Sequence, residues 1–295
     1  MTVSDIYPPR IKAFRELISK ELPSVPNDRN SRETLKSLPT HRLILAFINW
    51  RMRFIPEKPR KLRLWADGVA LSELHAVEAK LRPLLKKVEE GKNLKSHLSQ
   101  FISTKGIILP NAKPEDRGKD IDAVLTRFGL HHFHVGVISP DNPKGRSGVL
   151  IFAEVLDEEF RIIAISNHKA FKQGSTEQLR FSRICQAYLA KDVLPEQSFM
   201  TRPVMVSGHS VSLTRFSDWC ANTMEQVDPQ LNDISFVEFL YNQKPLESEK
   251  PIAMPSNPLL TWHFNELDFG ILDRRSKVFF CLKPEFSNDM PAVKS

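Results

Sequence analysis

At 295 residues the chain is long enough for one large domain or two of ordinary size. Its 41% hydrophobic and 26% charged residues suffice for a buried core and exclude a disordered chain. No apolar run approaches the roughly 18–20 residues of a membrane span, so no membrane partner is expected. The opening residues Met1 to Pro8 lack the basic and apolar regions of a secretory signal. Three cysteines, Cys185, Cys220 and Cys281, are odd in number and form no CxxC. That argues against a disulfide framework or zinc ribbon and for a reducing, cytoplasmic setting. The net charge of +7 is uneven: residues 1–130 carry 25 Lys/Arg against 15 Asp/Glu, and residues 131–295 carry 17 against 20. Such asymmetry suits a polyanion such as RNA or other nucleic acid. The alternative is a solubilising basic surface.

In chain order, Ile11, Phe14, Leu17 and Ile18 have helical spacing after Pro9. A polar stretch from Pro23 to Asn30, with two prolines, breaks that helix. A second helix is predicted from about Thr40 to Arg53, with Leu43, Phe47 and Trp50 on one stripe. Phe54 to Leu64, with Pro56 and Pro59, reads as extended or turning. A third helix starts near Ser72 along Leu74, Val77, Leu81, Leu84, Leu85 and Val88, with Pro83 as a kink and Gly91 as its C-cap. A proline-bearing loop from Lys105 to Lys119 leads to a short helix ending at Phe128-Gly129.

The period then switches from about 3.6 to 2. Strands are predicted at 131–138, 149–156 and 160–166, joined as an antiparallel meander. The last two are apolar almost throughout, which implies burial on both faces. A capping box at Ser175-Thr176-Glu177-Gln178 opens another helix, and 215–227 and 235–241 also read as helical. A closing hairpin pairs Leu259–Phe264 or Asp268–Leu272 with Lys277–Leu282. The tail after Phe286 reads as loose. The predicted class is α+β: a helical, basic region over 1–125, then an α+β domain with an antiparallel sheet over 126–295.

Four of the nine histidines fall between His131 and His168. In a strand His132 and His134 share a face, while His131 and Phe133 take the other. Such a pair can supply acid and base to cleavage of a phosphodiester by an RNA 2′-hydroxyl, or two ligands to a divalent metal. It can also be a half-buried polar strand face. The metal reading needs a third ligand, and Val135-Gly136-Val137-Ile138 offers no carboxylate. Tight hairpins would pair 138 with about 149 and 156 with about 160, placing His168 roughly 19 Å from His134. His168 would then join Lys144, Arg146 and Lys169 in a separate basic pocket.

The run Leu130-His131-His132-Phe133-His134-Val135-Gly136, followed by Gly148 to Ala153 and Ile165-Ser166-Asn167-His168, resembles a family of uncharacterised bacterial proteins. Phe47 to Pro56 with Pro59-Arg60 resembles the same family. In architecture the helices followed by a His-bearing meander are similar to RelE-like and barnase/EndoU/colicin-type RNase toxins. That similarity implies a metal-independent ribonuclease and a neutralising protein partner, and it carries over no fixed catalytic set.

From Asn49 to Trp65 six basic residues interleave with three aromatics, a pattern for stacking and clamping single-stranded nucleic acid. The alternative is a helix end with Trp50 and Phe54 in the core and Arg stems lying along it. Ser207-Gly208-His209-Ser210 is not the nucleophile elbow of a serine hydrolase, and His263 reads as structural. No Walker A loop, GxGxxG or HExxH is present. The expectation is an RNA-acting nuclease or toxin-like effector. Its catalytic residues are His132, His134 and His168, and its nucleic-acid contacts are Arg51, Arg53, Arg60, Arg63, Lys144, Arg146 and Lys169. No cofactor is expected. The alternatives are a metalloenzyme with a divalent metal on His132 and His134, and a non-catalytic nucleic-acid-binding protein.

Overall fold

The computed structural model describes residues 7–136, 140, 142–194, 196–198, 201–243, 245 and 252–284. The elements run α1 (Pro9–Glu21), β1 (Ser24–Val25), α2 (Arg29–Ser37), α3 (Thr40–Arg51), β2 (Lys61–Leu64) and α4 (Leu71–Glu89). Then come β3 (Ile107–Ile108), α5 (Ala123–Phe128), β4 (His131–His134), β5 (Val149–Val155), β6 (Glu159–Asn167) and α6 (Thr176–Ala190). The chain closes with α7 (Val211–Val227), α8 (Ile234–Tyr241), β7 (Leu260–Asn265), β8 (Asp268–Asp273) and β9 (Phe279–Cys281). The fold is α+β.

Two compact units emerge, each assembled from separated segments. Over the described residues one comprises the chain up to 51, 105–117 and the part from 212; the other comprises 52–104 and 118–211. These units do not follow the predicted division at 125/126.

In the first unit α1 begins with Pro9, whose fixed φ suits a first helical position, and buries Ile11, Phe14 and Ile18. The helix α2 lies mostly between the predicted polar break (Pro23 to Asn30) and the helix predicted from Thr40, where no element was predicted. Asp28 caps it by accepting from Ser31 N at 2.7 Å, and with Leu35 as its buried apolar residue it leaves almost no periodic signal. In the three-stranded sheet β7-β8-β9 the second hairpin alternative holds: β8 pairs with β9, while β7 pairs with β8 and not with 277–282. Its core is aromatic: Trp262 stacks on Phe269 at 5.4 Å, and Phe264 lies 5.7 Å from Phe14. Residues 285–295, which include the predicted loose tail, lie outside the described residues.

The second unit carries the histidines on a four-stranded sheet of order β2-β6-β5-β4. The expected meander β4-β5-β6 is present and antiparallel. A fourth strand, β2, adds in parallel from the proline-rich segment, pairing Lys61 with Glu159. One face packs against α4, where Leu81, Leu84 and Val88 meet Phe133, Ile151 and Phe160. The other face packs against α5 and α6, with Leu150, Phe152 and Ala164 against Val124, Phe181 and Cys185. Helices on both faces explain why β5 and β6 are apolar at successive positions. The first meander strand is shorter than predicted, ending at His134; Val137 and Ile138 lie outside the described residues. No described helix is long and apolar enough to cross a membrane.

Candidate active site

The edge strand β4 sets the histidines by its alternation. His131, His132, Phe133 and His134 pair with Ala153, Phe152, Ile151 and Leu150. Phe133 is fully buried on the α4 face, with its ring 5.0 Å from Phe160. His132 and His134 share the opposite face, as parity predicted, with ring centroids 5.9 Å apart. Phe133 is the apolar anchor whose burial turns its two neighbours to the opposite face.

Asp122 supplies a partner that sequence reasoning missed. It is the N-cap of α5, its Oδ1 accepting from the backbone N–H of Val124 and Leu125 at 3.1 Å each. That leaves Oδ2 3.0 Å from His132 Nδ1, an ion-pair distance off the line of a good hydrogen bond. The helix is only six residues long and Gly129 closes it in the left-handed region at φ 71°, so the chain returns at once into β4. The available signal was a cap residue before Ala-Val-Leu so close upstream of the histidine strand. A carboxylate this close to Nδ1 favours the tautomer that carries its hydrogen there and leaves Nε2 as the free lone pair. Burial alone would raise the Asp122 carboxyl. The contact with His132 and the Leu125 N–H outweigh burial and hold it below the usual range.

The predicted separation of His168 is corrected. Its ring centroid lies 5.4 Å from that of His134. Tight closure would have paired 138 with 149, but His134 pairs with Leu150 and Leu150 with Ser166, so β4 is shifted along β5 from that register. The strand β6 then ends at Asn167, and residues His168–Phe171 turn in a 3-10 helix capped by the Asn167 side chain. That turn sets Phe171 5.3 Å from His132. His132, His134 and His168 thus form a row.

The row lines a cavity of about 510 Å³ together with Phe171, Arg53 and Arg146. Burial chiefly, then the charge of Arg146 and the neighbouring histidines, pushes His134 down to about 3. His131 falls to about 4, mainly through burial, which Asp122 opposes and His132 and Arg60 reinforce. Both are neutral imidazoles at neutral pH, so His134 has no proton to give there as an imidazolium. His97 Nδ1 lies 3.0 Å from the His134 carbonyl oxygen; because that oxygen can only accept, Nδ1 carries the hydrogen. This bond braces the end of β4.

The predicted basic residues separate into distinct environments. Arg53 is 8% exposed and lines the cavity; burial lowers its pKa while Asp122 and Asp120 oppose that shift. Arg146 also lines the cavity, its Nη2 donating to Leu98 O at 2.6 Å and Ser96 O at 3.3 Å. Arg60 is buried with its guanidinium donating to the carbonyls of Leu156, Pro56 and Lys58, so it ties loops together. Arg63 is exposed and pairs with Glu159 at 3.5 Å. Arg51 ends α3, 6.0 Å from the Trp50 ring. Lys144 and Lys169 are exposed and lie outside the cavity lining, so the predicted basic pocket is represented there by Arg146 and His168. Trp50 is buried, and Trp65 packs edge-on against Tyr188; these rings serve the cores.

Among the described residues no group of three or more His, Cys, Asp or Glu is arranged to hold a metal ion. The pair His132 and His134 therefore gains no third protein ligand among them. No family model, curated protein or solved structure matches this chain.

Proposed function

We propose that the cavity is a metal-independent phosphodiester-cleaving site acting on RNA. The observation that carries this reading is the contact of Asp122 with His132 at the end of a row that continues to His168, with Arg53 and Arg146 in the same cavity. Asp122 orients His132 so that Nε2 takes the proton from the ribose 2′-hydroxyl. The 2′-oxygen then bonds to phosphorus, the P–O5′ bond breaks, and His168, as the general acid, hands a proton to O5′. The products are a 2′,3′-cyclic phosphate and a 5′-hydroxyl end, and the two histidines have exchanged protonation states. Arg53 and Arg146 stabilise the charge on the phosphoryl oxygens, since guanidinium groups stay charged even when buried. His134, kept neutral, spaces the base from the acid and is not itself the acid.

The test is digestion of a single-stranded RNA by the purified protein in excess chelator, with product ends identified. Cyclic phosphate ends, and loss of cleavage when one 2′-deoxy residue stands at the scissile position, are expected. Absence of RNA cleavage, or equal cutting of the deoxy substrate, overturns the reading.

A further inference from the structure

Two phenylalanines at this cavity are partly exposed. Phe171 is 47% exposed and Phe101 is 40% exposed, and both line it. Each lies in a 3-10 turn, His168–Phe171 and Gln100–Ser103, whose neighbouring residue Ala170 or Ile102 is buried. Each turn is thus anchored by a small or aliphatic side chain while the larger ring is left outside. Single exposed apolar residues are ordinary. Two aromatic rings on one cavity, beside cations, are a more specific arrangement. Lys119 Nζ lies 5.7 Å from the Phe101 ring centroid, and Lys119 lines the cavity too. With Arg53 and Arg146 the lining carries three permanent cations, against the carboxylate of Asp122 that already faces His132.

Aromatic rings next to phosphate-binding cations are how proteins hold unpaired bases, because every base has a π-face to stack. A duplex keeps those faces stacked on one another and hides base edges in a narrow, deep groove. Phe171 touches His132, so a base stacked on it belongs to a nucleotide at the reacting phosphate. Resting on the reading of the cavity as an RNA-cleaving site, we infer that its substrate is single-stranded RNA and that Phe171, with Phe101, selects it by stacking an unpaired base. Phe171 is then a specificity residue and takes no part in proton transfer.

The test reads binding separately from cleavage. A labelled 2′-O-methyl RNA, which has no free 2′-hydroxyl to react, is titrated with the purified protein as a single strand and as a duplex with its complement. The single strand is expected to bind at least tenfold more tightly. Phe171→Leu, which keeps apolar packing against Phe152 but removes the ring, is expected to weaken single-strand binding about tenfold. In cleavage assays the same variant raises KM and leaves kcat within about twofold. Equal binding of strand and duplex, or unchanged affinity in a folded Phe171→Leu protein, overturns the inference even if RNA is cleaved. Selective, Phe171-dependent binding without cleavage upholds the base-stacking role and refutes the catalytic reading instead.

Discussion

His134 and His168 meet with their ring centroids 5.4 Å apart, although strand-by-strand counting sets them far from each other. Two local events bring them together. The pairing of β4 with β5 is shifted from that of a tight hairpin, so that His134, Leu150 and Ser166 lie level. The 3-10 turn at His168–Phe171 then ends the strand beside them. His168 is therefore brought beside His134 by register and by a strand ending.

Asp122→Asn separates the orienting role from the capping role. Asn caps a helix about as well as Asp, so thermal stability should change little. Without the carboxylate His132 loses its tautomer control, and kcat for RNA cleavage should fall about 10²–10⁴-fold. An undiminished kcat would remove Asp122 from the mechanism.

Acid should destabilise the protein through its neutral histidines. His134 and His131 sit at about 3 and about 4 when folded, against roughly 6.5 in an unfolded chain. Between those values the unfolded chain binds more protons, so stability is complete above about pH 6.5 and is lost as the pH falls through the folded values. Urea midpoints at pH 7.5 and 5 measure this. His134→Gln should shrink the drop by on the order of 1 kcal/mol, allowing for its partial exposure; a drop as steep as in the native protein would contradict the assignment.

Arg146 contributes to holding His134 neutral. Arg146→Gln should raise the His134 pKa, while burial, the larger cause, keeps it below the ordinary histidine value. Imidazole proton shifts followed by NMR against pH report it directly, and an unmoved His134 would show the two side chains to be uncoupled.

Cleavage should survive chelation. Activity measured before and after dialysis against excess EDTA is expected to be the same, whereas loss restored by one divalent metal would favour the alternative in which His132 and His134 are ligands.

Phe133→Ala tests the anchor under the site. Its ring is fully buried against Phe160, so truncation should cost about 3–5 kcal/mol in denaturant unfolding. A loss below about 1 kcal/mol would mean that β4 is held by its neighbours and not by this side chain.

Some of this was legible in the residues alone. The change from helical to alternating spacing after Gly129 announces α+β, because side-chain period is a local property of helix and strand. The same alternation assigns His132 and His134 to one face. The continuous apolar runs of β5 and β6 announce a sheet covered on both sides. What only the tertiary structure decided depends on distances across the chain. Whether His168 joins the row turns on how a loop closes, and loop closure leaves no periodic trace. Asp122 draws no notice in the sequence, because it meets His132 only once the short α5 folds it back onto β4. Arg53 and Arg60 look alike in sequence, yet one lines the cavity and the other is bound to three carbonyls. Residue type and spacing name the chemistry available, while strand register and helix packing choose which groups come within reach of one another.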